Sequence, residues 1–220
     1  MSHQYVVIGL GAFGFSMLEN LLQMGHEVVA IDKDGARIQH IASENDGLEA
    51  HLLTADPIEG NVLHELGVEN FDGAVVATGK LEANILATLI LKDLGVPLVM
   101  VRAHTKEHVR VLEQVGADSV VQPEKEFGAL ASRRLVYPRT LDYLELGDGE
   151  AVVEVEVPDE WVGKSLSELH LYRERGLTVL AHKSRGRSGN IPKGDQTLQE
   201  EDVLVIGGAK EDLDKAEFFQ

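Results

Sequence analysis

Six short apolar runs, each joined to the next by a stretch that leaves room for a helix, constrain this chain more than any other feature. The runs are "YVVIG", "EVVAID", "EAHLLTAD", "GAVVATG", "PLVMVRA" and "SVVQP", all ahead of Val136. They are rich in Val, Ile and Leu and mostly lack polar alternation, the pattern of strands covered on both faces in a parallel sheet. Between them, Met17, Leu18, Leu21 and Leu22 share a face of a helix over 16–24, and Ile85, Leu86, Leu89 and Ile90 share one over 82–94. Strand and helix in repeated alternation imply right-handed crossovers and predict an α/β fold with a doubly wound parallel sheet. Pro57 is placed at the start of a helix, where its missing N–H costs nothing. Gly25, Gly67, Gly95 and Gly116 each follow a helical stretch, the usual place for a C-terminal glycine.

The pattern changes near Tyr137. "YPRTLDYLELGDGE", with its proline and Gly-Asp-Gly turn, reads as a connector. The division is therefore a sheet domain over 1–136, a linker over 137–149 and a second domain over 150–220. In the last, "AVVEVEV" alternates as a half-buried strand, followed by "GKSLSELHLYRERG", "LTVLAHKS", the polar loop "RGRSGN" and "DVLVIGG". This small α+β unit is marginal as an isolated monomer and gains stability by pairing with a copy of itself. Trp161 is a packing residue of that unit, and "EDLDKAEFFQ" forms a terminal helix with Phe218 and Phe219 against a partner, or frays.

A formal net charge of -17 opposes contact with nucleic-acid phosphates and anionic lipid, so neither is expected as a direct partner. No apolar run reaches membrane-spanning length, and "MSHQYVVIG" enters a strand pattern without a basic leader. With no cysteine, disulfides and thiolate metal sites are excluded, and a cytoplasmic location fits.

Gly9, Gly11 and Gly14 form G-x-G-x-x-G between the first run and its helix, with Ala12 and Phe13 inside the motif. The first glycine permits a tight turn, the second lets a diphosphate approach the backbone, and the third lets helix pack against strand. The helix then offers free N–H groups and its positive dipole end to phosphate. Asp32, followed by Lys33, closes the second run where a carboxylate takes both hydroxyls of an adenosine ribose and repels a 2′-phosphate. Chemistry on a nicotinamide would need a proton donor near it. The tyrosines, Tyr5, Tyr137, Tyr143 and Tyr172, have no lysine four residues on, there is no Walker-type loop, and no nucleophile–base signature stands out. A regulatory module that binds an adenine nucleotide and changes shape matches both what is present and what is missing. An NAD-dependent oxidoreductase is the alternative.

"VVIGLGAFG", "VVAID", "TAD", "VVATG", "EAN" and "VLEQVGADSVVQPEKEFG", then "VGKSLSEL" with "EEDVLVIGG", resemble the cytosolic regulatory subunit of Ktr/Trk-type bacterial potassium uptake systems over nearly the whole chain. That subunit has an RCK (regulator of potassium conductance) N-lobe, Rossmann-like, and a C-lobe. A regulator of a different cation channel or antiporter with the same lobes is a second alternative. The resemblance implies a homo-oligomeric ring of dimers, expected as an octamer, docked from the cytoplasm under a membrane potassium-translocating subunit. In it ATP or ADP, with NAD(H) also compatible, sets the ring shape. It implies that Gly9, Gly11 and Gly14 hold phosphates, Asp32 the ribose, and Ala55 with Asp56 the adenosine side. Thr78 and Gly79 face the phosphates, and Arg102 is a phosphate ligand or else a surface ion pair. Glu124 matches the position where a neighbouring subunit's carboxylate meets the phosphates across a hard cation, Mg²⁺, Ca²⁺ or Na⁺; a helix-start glutamate favoured by the dipole accounts for it equally. Many family members carry Arg where this chain has Ala12, so Arg102 or Lys80 substitutes or the nucleotide preference differs. In some relatives paired C-lobes bind cyclic di-AMP. Ile191 and Pro192, with Lys183, Arg185 and Arg187, stand near the corresponding place, although a hairpin loop with solvated charges is the favoured reading. His104 and His108 have helical metal-pair spacing but no third ligand, and are expected as a surface pair.

Overall fold

A computed structural model describes residues 2–45, 48–59, 61–184 and 189–216, which divide into two compact units, Met1–Glu124 and Lys125–Gln220. In the first, the described residues form strands β1 (Gln4–Ile8), β2 (Glu27–Asp32), β3 (His51–Thr54), β4 (Gly73–Val76), β5 (Val99–Arg102) and β6 (Ser119–Val121). Between them lie helices α1 (Ala12–Gln23), α2 (Gly35–Glu44), α3 (Val62–Glu65), α4 (Leu81–Asp93) and α5 (Lys106–Val115). Each strand pairing is parallel, in the order β3-β2-β1-β4-β5-β6. This is the doubly wound, Rossmann-like arrangement the apolar runs predict, with its switch point between β1 and β4. Successive side chains of a strand point to opposite faces. Val6 and Ile8 accordingly join one apolar layer with Leu91 and Leu112, and Val7 joins another with Leu18 and Ile38. A strand covered on both sides must be apolar at every position, which is why β1 and β4 show no alternation.

Helix ends follow the glycine punctuation: Gly25, Gly67, Gly95 and Gly116 all have positive φ, at 81°, 68°, 82° and 108°. Two expectations fail. Pro57 is buried in a turn closed by Glu59 N–H on the Asp56 carbonyl, and α3 begins only at Val62. On α4, Leu86 and Leu89 stay 38% and 41% exposed, while Asn84, Ala87, Thr88 and Leu91 are buried. The small Ala87 and Thr88 bring that face of the helix close to the sheet. Thr88 Oγ donates back to the Asn84 carbonyl at 2.6 Å, which removes the cost of burying a hydroxyl.

Helix α6 (Pro123–Val136) begins at the end of the first unit and carries the chain into the second. It buries none of its residues within the chain and exposes Phe127, Leu135 and Val136. The second unit holds an antiparallel sheet of β7 (Thr140–Gly147), β8 (Glu150–Glu156), β9 (Thr178–Lys183) and β10 (Val203–Ala209), ordered β7-β8-β10-β9, with short helices α7 (Leu171–Arg175) and α8 (Lys210–Asp214). Most of the stretch 137–149 is therefore not a connector. It is one arm of a β7–β8 hairpin whose Gly147, Asp148 and Gly149 all have positive φ. The arm escaped notice because its outward positions are acidic or exposed, and its partner strand supplies most of the apolar face. On β8, Ala151, Val153 and Val155 point into a core with Trp161, Leu177 and Leu204, as the alternation implies. Phe218 and Phe219 lie outside the described residues.

Asp118 locks the α5–β6 connection to β5. Its carboxylate accepts from Val99 N–H at 2.7 Å and pairs with Lys92 at 2.9 Å. Burial pushes its pKa up, but the Val99 N–H and Lys92 outweigh this and hold the carboxyl below the usual value. Asp118→Ala is expected to destabilise the first unit by about 1–3 kcal/mol. Urea unfolding followed by circular dichroism measures this, and Trp161 fluorescence reports the second unit separately. A depressed carboxylate stabilises fully above its unfolded pKa and loses that contribution as pH falls through the folded one. The difference between wild type and variant should therefore shrink below about pH 4.

Candidate functional site

The C-terminal ends of β1, β2, β4 and β5 border a cleft of about 480 Å³ at the switch point of the sheet, the place where open α/β sheets bind ligands. Its floor is the glycine turn. Gly9 has φ +91°, and a Cβ there would lie 2.9 Å from the Ala77 carbonyl carbon. A Cβ on Gly14 would lie 1.8 Å from the Gly9 oxygen. The protein's own packing thus requires glycine at both positions. Gly11 differs: a Cβ there meets nothing within 4 Å, and its φ is an ordinary -65°. It lines the cleft, so open space is held where an outside group approaches the backbone. Gly11 is also the N-cap of α1, and among the described residues no side chain caps that helix or places an acid in its first turn. By contrast α2 is capped by Asp34 and α5 by Thr105. The unmet N–H groups and dipole of α1 form an anion-seeking corner.

Asp32 is 5% exposed. Its Oδ2 accepts from Leu10 N–H at 2.7 Å and from Arg37 Nη1 at 2.8 Å, and its Oδ1 accepts from Asp34 N–H at 2.9 Å. Burial alone would raise its pKa; the Asp34 and Leu10 N–H groups and Arg37 reverse that, and the carboxyl stays ionised below its usual range. A carboxylate offers about four acceptor positions. Three are engaged by the protein's own donors.

Asn84 braces the opposite flank from α4. Its Oδ1 accepts from Thr78 N–H at 3.2 Å and Thr78 Oγ at 2.6 Å, and its Nδ2 donates to the carbonyls of Arg102 at 3.0 Å and Thr78 at 3.4 Å. All four of its hydrogen-bonding capacities are used, at 1% exposure. The tips of β4 and β5 are thereby tied together. Arg102 extends from the β5 tip, its side chain 16% exposed, and pairs through Nη2 with Glu124 Oε1; among the described residues its buried Nε has no partner.

Of the residues singled out in the sequence, Gly9, Gly11, Asp32, Lys33, Asp56, Thr78, Gly79 and Arg102 line the cleft, as does Lys80. Gly14 sits behind Gly9 and shapes the turn. Ala12 is exposed in the first turn of α1, outside the lining. Phe13 packs into one apolar layer and Ala55 against the other, and neither lines the cleft. Glu124 reaches the site through Arg102 of its own chain. Sequence reasoning overlooked Arg37 and Asn84. Asn84 stands in "EAN", and an amide within an otherwise apolar helical stretch was the available signal. Arg37 gave none, because its partner Asp32 is five residues away across a turn.

In the second unit Pro192 lines a separate cavity of about 460 Å³ with His170, Arg173, Thr178 and Lys193. Ile191 is 89% exposed and Lys183 pairs with Glu154 at 2.8 Å; Arg185 and Arg187 lie outside the described residues. His104 and His108 stand edge to face at 6.4 Å. Among the described residues no group of three or more His, Asp or Glu is placed to hold a metal.

The model of the TrkA-N domain matches residues 5–123, and that of the TrkA-C domain residues 152–219. The chain is 36% identical over 215 residues to the Ktr system potassium uptake protein A of Bacillus subtilis (strain 168), covering 97% of this chain and 95% of that protein. The chain belongs to the Ktr family of potassium uptake proteins. Among solved structures, the crystal structure of the GsuK RCK domain aligns with a TM-score of 0.68 at 20% identity, over 99% of this chain and 47% of that one. The GsuK channel bound to NAD aligns at 0.66 and 19%, over 96% and 38%. The chain spans less than half of each, and at such identity they establish for this Ktr-family chain the shared RCK fold.

The two kinds of glycine should separate by experiment. Gly14→Ala is expected to lower the stability of the first unit by about 3 kcal/mol or more, because a Cβ 1.8 Å from the Gly9 oxygen overlaps it and both partners are backbone held in strand and helix. Gly11→Ala should leave it within about 0.5 kcal/mol of wild type. Denaturant unfolding of both variants checks the contrast.

Proposed function

We propose that this chain is the cytosolic, nucleotide-sensing subunit of a membrane potassium uptake system. An adenosine phosphate held in the first unit's cleft shifts the shape of a homo-oligomeric ring, and the ring alters ion flux through a separate membrane subunit. The observation that carries this reading is the pairing of an open Gly11 with an uncapped α1, beside a buried ionised Asp32. Phosphates meet the α1 N–H groups. Asp32 takes a ribose hydroxyl, and Lys33, Lys80 and Arg102 offset phosphate charge. Pro57 and Ile58 give an apolar wall to an adenine. ATP and ADP are the ligands favoured, with NAD(H) compatible, as the NAD-bound GsuK channel shares the fold.

Three features support the partners. The relatives are named as potassium uptake proteins. Among the described residues no helix is long and apolar enough to cross a membrane, so translocation falls to another subunit. Helix α6 presents Phe127, Leu135 and Val136 exposed among the described residues, a face suited to a second copy. A hard cation would sit between a polyphosphate and a carboxylate such as Glu124. The second unit's cavity, with Arg173 and Lys193 beside Pro192 and Val179, suits cyclic di-AMP.

Calorimetric titration with ATP, ADP and NADH, alongside light scattering, tests the reading. ADP and ATP should bind, and the assembly should differ between them. Gly11→Ala should weaken both by about tenfold or more at unchanged stability. Binding unaffected by Gly11→Ala, or an assembly indifferent to every adenine compound, would defeat the proposal. So would sustained NADH turnover abolished by a change outside the glycine turn. Since Ala12 leaves the terminal phosphate without the arginine that many relatives carry, ATP preference over ADP should be weak. Ala12→Arg should raise the ATP-to-ADP affinity ratio by about tenfold.

A further inference from the structure

We infer that Asp202, His182 and Gln196 form a relay that positions Lys193 on the wall of the second unit's cavity, where its ammonium meets a phosphodiester. The inference rests on the cyclic di-AMP reading of that cavity and adds what holds its wall in place.

The relay begins inside the second unit. His182 on β9 is 3% exposed and Asp202 2%. His182 Nε2 and Asp202 Oδ2 stand 2.7 Å apart, and the same oxygen accepts from Gln199 N–H at 2.9 Å. Across the sheet His182 is paired with Leu204, a residue of the apolar core. A hydrophobic side chain at position 182 would need no partner there, whereas a buried imidazole does. The other ring nitrogen, Nδ1, meets Gln196 Nε2. Gln196 Oε1 accepts from Lys193 N–H at 3.4 Å, and Gln196 N–H donates to the Lys193 carbonyl at 3.0 Å. With its oxygen turned to Lys193, the amide presents its NH₂ to the ring. Nδ1 is thereby the acceptor, and the ring hydrogen on Nε2 points at Asp202. Donors and acceptors alternate without conflict from Asp202 to the Lys193 backbone.

Pro192, Lys193 and Gly194 form one wall of the cavity. The wall is tied down at both ends. Asn190 exchanges backbone hydrogen bonds with His182 at 2.9 and 3.1 Å, and Ser167 N–H donates to the Gly194 carbonyl at 2.8 Å. Lys193, between them, is held at its N–H and its carbonyl by Gln196. Its side chain is exposed, and a lysine is a compact charge on a flexible stem. The place its ammonium can reach is therefore set by where its backbone is fixed. Anchoring that backbone to a buried pair lowers the ordering cost that an anion would otherwise meet on binding.

The experiment is calorimetric titration of the full-length chain with cyclic di-AMP, with ADP as the control ligand of the first unit's cleft. Lys193→Ala and Gln196→Leu should each weaken cyclic di-AMP about two- to tenfold, the equivalent of one hydrogen bond, and leave ADP unchanged. In the Lys193→Ala background, Gln196→Leu should cost less than about twofold more, because it acts through Lys193. His182→Leu, which cuts the relay in the core, should give the same pattern; Gln196→Leu, at the partly exposed end, serves if that variant does not fold. Cyclic di-AMP affinity unchanged in Lys193→Ala or in Gln196→Leu would overturn the inference. So would an undiminished further loss from Gln196→Leu in the Lys193→Ala background, which a merely structural role predicts. Should wild type not bind cyclic di-AMP, the reading of the cavity falls and takes the inference with it. Wild-type binding with no loss in Gln196→Leu sinks the inference alone.

Discussion

A carboxylate removed from water must be surrounded by donors, and the first unit is organised around that requirement at Asp32. The three groups that satisfy it come from three places: Leu10 in the glycine turn after β1, Asp34 in the loop after β2, and Arg37 on α2. Asp32 is therefore a brace of the turn before it is a contact for any ligand. By holding Leu10 it sets the turn that aims the free N–H groups of α1 into the cleft. The contact of Gly14 against the Gly9 oxygen does the rest, since it leaves no room for the helix to start elsewhere.

The other flank depends on Asn84, which spans from α4 to the tips of β4 and β5. An amide with every donor and acceptor engaged in a dry site admits few alternative geometries. The floor of the cleft is consequently rigid on both sides. What remains free to respond lies at its rim: the exposed Lys33 and Lys80, and the pair between Arg102 and Glu124.

The chain's net charge of -17 opposes polyanionic surfaces, yet the cleft sets Lys33, Arg37, Lys80 and Arg102 against only Asp32, Asp56 and Glu82. Screening confines the effect of distant acids to a Debye length of about 8 Å at physiological salt. Local charge therefore governs the site, and global charge governs solubility and the exclusion of polyanionic surfaces.

The parallel sheet, its helices and the glycine turn were legible in the sequence because each leaves a local trace. Unbroken apolar runs mark strands buried on both faces, and glycines mark positive φ at helix ends. The β7 arm was not legible, because an edge strand that faces solvent borrows its apolar face from a neighbour. Nor was the buried face of α4, where small residues rather than large ones decide the approach to the sheet. The site divides in the same way. The residues of the motif were visible, but their partners were not: Arg37 on Asp32, Asn84 on Thr78 and Arg102, and Glu124 on Arg102. Sequence alone determined the alternation of strands and helices in the first unit and the presence of an anion-seeking turn, since both follow from short-range spacing. Only the tertiary structure decided which charges neutralise one another, because that depends on distances set when separate strands and helices pack.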